Sequence, residues 1–264
     1  MAKASVWENT GNNGDMSRST FMLFSTAYLL LGLLVSGIVS AYTSSEWTAM
    51  VHNKLIYNGP DKIMLGLGVF VGMLLCIEFI LFAKSSFTKF LAYVAMTAVY
   101  GIILGPFVAM FAGATLVKAI VVTGVITFIF GLIGIVIPES LDSWLTKLLG
   151  ATLVILVGMF GLPVIGWFFP FFPVKEGLSL LDWVTIVIFC GWIIHDMNRA
   201  KFVKPTMGNA IEVATGMYLN VMNIFIRILE KYGDWEAFNW DDGDHSTYSD
   251  EAASDGDSDT DTDD

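Results

Sequence analysis

Seven apolar stretches, separated by short polar or charged segments, fill most of the chain between residues 20 and 230. A helix that crosses a hydrocarbon core about 30 Å thick needs about 20 mostly apolar residues. The pattern therefore predicts an all-α membrane protein with seven transmembrane helices. We place the spans at residues 20–43, 63–83, 88–111, 114–138, 148–172, 178–198 and 207–230.

The last two apolar stretches are too short to cross a membrane without their flanking charges. Between Asp182 and Asp196 lie 13 residues, and between Glu212 and Arg227 lie 14. At about 1.5 Å per residue neither stretch covers the hydrocarbon core, so part of each flanking charge must lie below the headgroups. Ionisable groups at that depth cost about 2.5–3.5 kcal/mol on insertion scales and by default indicate function. The last pair of helices is thus the candidate functional region.

Composition and charge divide the chain into three parts. The sequence is 55% hydrophobic and 15% charged, with a mean hydropathy of +0.66, which excludes an ordinary soluble domain. Of its 25 acidic residues, 13 lie from Asp234 onward, where no Lys or Arg occurs. We predict a polar cytoplasmic N-terminus at residues 1–19, a seven-helix transmembrane domain at 20–233 and an acidic disordered tail at 234–264.

The basic residues near the span ends indicate the orientation. With the N-terminus inside, the inner segments hold eight Lys and Arg residues and the outer segments hold six. Because basic residues are enriched on the cytoplasmic side, we predict a multi-pass protein of the cell (inner) membrane with a cytoplasmic N-terminus.

Asp196, near the inner end of the sixth span, is the first candidate for chemistry. A carboxylate without a partner in a low-dielectric site holds its proton more strongly, because the charged form loses its hydration. Proton binding at Asp196 would then open or close a pathway. In the alternative interpretation, Asp196 pairs with Arg199 or Lys201 at the membrane surface and stays ionised. His195 projects about 100° away around the helix, so we interpret it as a lipid-interface or packing residue rather than a ligand.

Polar residues of the seventh span and one acid of the second span are further candidates. Asn220 and Asn223 lie on neighbouring faces of one helix, and Glu212 and Asn223 lie about 20° apart on one stripe. That stripe would line a polar path. Glu78 lies about 8 Å from the inner end of its span, at a depth similar to that of the sixth-span acid. In the alternative interpretation, the amides only hydrogen-bond to a neighbouring helix and Glu78 pairs with Lys84 at the surface.

No enzyme signature fits the chain. The GxGD pattern of intramembrane aspartyl proteases is absent. Gly177-Leu178-Ser179 matches the GxS motif of a rhomboid-like serine protease, which needs a membrane His beside its Ser. Ser179 opens the sixth span and His195 closes it, about 24 Å away by helical rise, so they cannot share a proton. The seventh span has no mid-span Lys for retinal, no His/Cys cluster has metal-ligand spacing, and no phosphate-binding Gly loop occurs. We therefore predict no enzyme activity, cofactor, metal site or nucleic-acid partner.

Three segments resemble one family. Residues 187–201 (VIFCGWIIHDMNRAK) resemble the sixth-helix signature of the Bax inhibitor-1, or transmembrane Bax inhibitor motif, family, in which Tyr-Asp and a polar, basic cluster follow an apolar stretch. Residues 214–233 (ATGMYLNVMNIFIRILEKYG) resemble the seventh helix, with its Leu-Tyr-Leu-Asp-x-x-Asn-Leu-Phe core and terminal Gly. Residues 100–106 resemble the third helix, and the similarity extends over about residues 20–233.

The resemblance implies six helices around the last one and a proton-sensitive cation (calcium) leak with two Asp side chains near the cytoplasmic gate. Asp196 matches the first of these, whereas Asn220 stands at the second position. Two neighbouring carboxylates share a proton and titrate as a pair, which an Asp–Asn pair cannot do. Either the pH response is weakened, or Glu78 supplies the second carboxylate from another helix.

The resulting hypothesis is a pH-modulated calcium or cation leak channel of the Bax inhibitor-1 type, gated near Asp196. The alternative is a non-conducting membrane regulator that binds and restrains another membrane complex, such as a quality-control protease. The expected partners are calcium or other cations, the lipid bilayer and a membrane protein. The candidate gate and pH-sensing residues are Asp196, Asn220 and Glu78, and the pore-lining or pairing candidates are Glu212, Asn223 and Arg199.

Overall fold

A computed structural model describes residues 16–46, 59–109, 111–169 and 174–240. These residues form seven helices: α1 (Arg18–Glu46), α2 (Gly59–Phe82), α3 (Ser86–Val108), α4 (Gly113–Val136), α5 (Asp142–Phe168), α6 (Val174–Arg199) and α7 (Met207–Trp240). No strand occurs within the described ranges. The predicted all-α fold with seven helices is confirmed.

The outside of the bundle is apolar. In the described part of the chain, five helices are long and apolar enough to cross a membrane, namely α1, α3, α4, α5 and α6, and α2 adds a shorter apolar stretch, Val71–Phe82. Large side chains such as Phe128 and Phe160 are 67% and 72% exposed. An exterior of this kind is stable in hydrocarbon, where each helix satisfies its own backbone hydrogen bonds. The chain is thus an integral, multi-pass membrane protein.

Helix α7 is buried among the other helices. It packs against α1, α3, α4 and α6, and along a short stretch against α2. Its side chains Ile211, Tyr218, Ile224 and Leu229 are fully buried. A helix that carries several polar groups is costly to expose to lipid, so the inside of the bundle is where those groups find partners.

Helix α5 departs from the arrangement that the resemblance implies. It packs against α6, and it reaches α7 through Met159, whose Sδ lies 3.2 Å from Nη2 of Arg227. Because α5 is apolar on nearly its whole circumference, lipid can surround it, and Ile155 is its buried residue. Within the described ranges, five helices rather than six therefore pack along α7, and α5 reaches it through a single side chain.

The helix ends extend the predicted boundaries. α1 begins at Arg18, just before the first predicted span, and α7 continues to Trp240, beyond the predicted end of the transmembrane domain at residue 233. Most of the predicted N-terminal segment and of the acidic tail, residues 1–15 and 241–264, lies outside the described residues. The end of the fifth predicted span, 170–172, lies outside them as well.

Asn198 fixes the end of the bundle where α6 ends and α7 begins, which the predicted orientation makes the inner end. Its Oδ1 accepts a 2.9 Å hydrogen bond from the backbone N–H of Leu141. Its Nδ2 donates to the carbonyl oxygens of Ile137 and Glu139, at 3.1 and 2.9 Å. Nδ2 also lies 3.4 Å from the carbonyl oxygen of Gly134 in the last turn of α4. The last turn of a helix leaves its carbonyl groups without intrahelical partners, so this amide closes the end of α4. The contact holds the preceding residues of α6, including Asp196, in place.

Candidate functional site

Asp196 lies inside the bundle, on the face of α6 that packs against α7. The residue is only 8% exposed, and its Oδ2 accepts a 2.8 Å hydrogen bond from Nδ2 of Asn220 on α7. The structure therefore brings together the two residues that the sequence placed near the gate. We define the α6–α7 seam as the contact between these helices from Asp196 and Asn220 to Asp182 and Arg227. We call the first of these its inner end and the second its outer end, after the orientation predicted from the sequence.

His195 is closer to Asp196 than its position on the helix indicated. Its Nδ1 lies 3.1 Å from Oδ1 of Asp196, and the residue is 2% exposed. The ring packs edge-on against Trp192, with 5.6 Å between the ring centroids. Our interpretation is therefore wrong in two respects: His195 does not lie at a lipid interface, and its ring is not turned away from Asp196.

The close approach of Asp196 to α7 depends on Gly216. A Cβ atom at this position would lie 2.8 Å from Oδ2 of Asp196. That distance is shorter than any normal carbon–oxygen contact, so the carboxylate would have to move. Gly216 precedes Asn220 by one helical turn, and the two residues form the surface of α7 on which Asp196 rests.

We expect Gly216→Ala to destabilise the protein by about 1–3 kcal/mol, because the added methyl group overpacks the contact and displaces Asp196 from Asn220. Thermal unfolding in mild detergent would measure the change. Gly37→Ala on α1 is the matched control, since a Cβ there meets nothing within 4 Å. Equal melting temperatures for the two variants would show that the seam does not need the close approach.

The basic residues after Asp196 have different surroundings. Lys201 donates a 2.8 Å hydrogen bond to the carbonyl oxygen of Ile135 at the end of α4, so it stabilises the helix terminus there. Arg199 is attracted electrostatically by Asp196 and Glu212. The alternative in which Lys201 neutralises Asp196 is thus not what the structure shows, whereas Arg199 remains a pairing candidate.

Glu212 forms a buried ion pair with Lys89 of α3. The side chain of Lys89 is fully buried and that of Glu212 is 3% exposed. Among the described residues, Oε2 of Glu212 has no hydrogen-bond partner. Glu212 is therefore a pairing residue between α7 and α3. From the sequence, Lys89 counted only as one of the eight basic residues of the inner segments. The opposite charges of Lys89 and Glu212, both near the inner ends of their spans, were a signal of this pairing.

Two other candidates lie apart from Asp196. Asn223 donates a 2.7 Å hydrogen bond to the carbonyl oxygen of Leu219 on its own helix, so its amide does not bridge to a neighbouring helix. Glu78 is exposed on the outside of α2. Ile80, two residues later and about 200° around the helix, is the fully buried residue that faces the bundle. The suggestion that Glu78 supplies the second carboxylate is therefore not supported by the structure.

A second polar cluster lies at the outer end of the seam and was not predicted as a site from the sequence. We call it the Arg227 cluster; it consists of Asp182, Arg227, Glu230 and Lys231. Nη1 of Arg227 lies 3.0 Å from Oδ1 of Asp182 and 2.9 Å from Oε2 of Glu230. Nζ of Lys231 lies 3.1 Å from Oδ2 of Asp182 and donates a 2.8 Å hydrogen bond to Oγ of Ser179. The short spacing of charges on the last two spans was the sequence signal for this cluster.

Comparison with known proteins gives one finding. A family model described as "Inhibitor of apoptosis-promoting Bax1" matches residues 17–234 of the chain. The matched range includes α1 to α6 and the part of α7 that carries Asn220. No curated protein matches the chain.

Proposed function

This chain belongs to the Bax inhibitor-1 family, and we propose that it is a pH-modulated calcium or cation leak channel gated near Asp196. The observation that carries the proposal is the buried carboxylate of Asp196, hydrogen-bonded across the α6–α7 seam to Asn220. The proposal includes no enzyme activity. It places the protein in the cell (inner) membrane with a cytoplasmic N-terminus, so that Asp196 faces the cytoplasmic side.

The proposed closed state rests on a charge-assisted hydrogen bond. A hydrogen bond to an ionised carboxylate is roughly twice as strong as one between neutral groups. Proton binding at Asp196 replaces the strong bond by a weaker neutral one and loosens the inner end of the seam. The leak should therefore rise as the pH falls. His195 and Arg199 are the other titratable or charged groups beside this carboxylate.

Asn220 makes this pH response weaker than that of a carboxyl pair. Its amide donates to an ionised Asp196, and after rotation its Oδ1 accepts from a protonated one. The seam thus keeps a hydrogen bond in both protonation states, and one proton is bound in a single step. Two carboxylates at these positions would instead bind two protons in two coupled steps.

The test is calcium flux into proteoliposomes that contain the purified chain, measured across a pH series from about 5.5 to 8. In Asp196→Asn the amide resembles the protonated carboxyl group. We expect this variant to leak at every pH as fast as the parent leaks at low pH, without pH dependence. Glu139→Gln, which neutralises an exposed carboxylate at the same end, is the matched control and should follow the parent. Identical pH profiles for parent and Asp196→Asn would remove the gate assignment.

The second candidate function is a non-conducting regulator that restrains another membrane complex, such as a quality-control protease. The Asp196–Asn220 contact favours it, since the seam remains hydrogen-bonded whether or not Asp196 holds a proton. Purification from native membranes in mild detergent distinguishes the two functions. A stoichiometric membrane-protein partner, together with no flux from the pure protein at any pH, would support the regulator and exclude the channel.

A further inference from the structure

Arg227 occupies an unusual position at the outer end of the α6–α7 seam. Its Nη1 lies 3.0 Å from a carboxylate oxygen of Asp182 on α6 and 2.9 Å from one of Glu230 on its own helix. Its Nη2 lies 3.2 Å from Sδ of Met159 on α5. One guanidinium group therefore joins α5, α6 and α7.

The Arg227 cluster is partly buried. The side chains of Arg227 and Asp182 are 23% and 15% exposed, that of Lys231 is 16% exposed and that of Glu230 is 31% exposed. Charges that are partly buried interact more strongly than charges in water, since the surrounding dielectric constant is lower. This cluster is thus unlike an exposed surface ion pair, which contributes little.

The Arg227 cluster and the Asp196 contact lie on one line along the bundle. Arg227 follows Asn220 by seven residues, which places it about 10 Å further along α7 and about 20° around it. Asp182 precedes Asp196 by 14 residues, or about 21 Å, on nearly the same face of α6. A cation that moves along the seam between Asp196 and the outer side therefore passes Arg227.

We propose that Arg227 restricts cation passage at the outer end of the seam, as a tethered positive charge between Asp182 and Glu230. The inference rests on the proposed leak function and names the residue that limits it. The two carboxylate oxygens on Nη1 are at most about 6 Å apart, since each is a hydrogen-bond length from the same atom. Oxygens around a calcium ion lie at about 2.3–2.6 Å from it, so opposite ligands are about 5 Å apart. The guanidinium group occupies the space that a passing divalent cation would use.

The flux experiment compares variants at Arg227. Arg227→Met/Glu230→Gln removes one charge of each sign and leaves the Asp182–Lys231 pair, so the cluster stays balanced. We expect its calcium flux to exceed that of the parent by about tenfold or more, because the electrostatic barrier is lost. Arg227→Lys keeps the positive charge and should stay near the parent. Lys118→Met, at an exposed lysine near the outer end of α4, is the control for loss of a positive charge that is not part of the cluster.

A second measurement separates failure of this inference from failure of the proposed function. In Arg227→Met alone, the two carboxylates lose their shared cation, and millimolar calcium should raise the melting temperature of this variant but not that of the parent. Flux that rises equally in Arg227→Lys and in the double variant would overturn the charge barrier. If neither parent nor variants conduct, the leak function fails, and the absence of calcium stabilisation in Arg227→Met would then overturn the inference as well.

Discussion

Lys89→Met should destabilise the protein by about 3–5 kcal/mol, the largest loss of stability that we expect from a single substitution. Lys89 is fully buried, and its ammonium group is bonded to Glu212 on α7. Removal of one partner leaves the other charge buried without its counter-charge, which is strongly destabilising. The second oxygen of Glu212 has no hydrogen bond among the described residues, so without Lys89 the carboxylate keeps only the electrostatic attraction of Arg199.

The double variant Lys89→Met/Glu212→Met should recover most of that loss. Apolar side chains of similar volume can replace a buried ion pair at little cost, because neither charge then needs to be desolvated. Thermal unfolding in mild detergent would show the single variant melting lower by on the order of 10 °C, and the double variant close to the parent. Lys84→Met, the same substitution at an exposed position, is the control. A double variant as unstable as Lys89→Met would mean that the site requires the pair itself.

The sequence was sufficient to predict the helices and the region of the site. Runs of about 20 apolar residues determine which segments cross the membrane as helices. Such runs are visible in the local sequence, without knowledge of how the helices pack. The shortness of the stretches after Asp182 and Glu212 predicted that their flanking charges would be drawn inward. In the structure Asp196 and Glu212 are each 8% exposed, so both residues lie inside the bundle.

The pairing of charges between helices could not be predicted from the same pattern. A pair such as Lys89–Glu212 joins segments more than 100 residues apart, and it depends on how each helix is rotated about its axis. An almost wholly apolar helix such as α2 gives no sequence signal for that rotation, so depth alone suggested Glu78 as a partner of Asp196. The peripheral position of α5 could not be predicted for the same reason, because α5 has no polar stripe that would mark its inner face.

Asn220→Asp should restore a two-carboxylate site and change the shape of the pH response. Nδ2 of Asn220 lies 2.8 Å from Asp196, so a carboxylate in its place would face a like charge at contact distance. With one shared proton the pair is held by a strong hydrogen bond, and with none the like charges repel by several kcal/mol. The leak should then have a minimum at intermediate pH and rise by about tenfold or more toward alkaline pH, where the parent leak stays low.

Melting temperature across the same pH series gives a readout of Asn220→Asp that does not need conduction. The folded variant retains a proton that the unfolded chain has lost, so its stability is present at low pH and falls as the pH rises through the release of that proton. Asn223→Asp is the matched control, because it adds the same charge to α7 at a side chain bonded within its own helix. A stability profile shared by both variants would show that the seam does not couple residue 220 to Asp196. If stability falls with rising pH only in Asn220→Asp, and no flux is detected, residue 220 and Asp196 are coupled. The protein would then be a regulator rather than a channel.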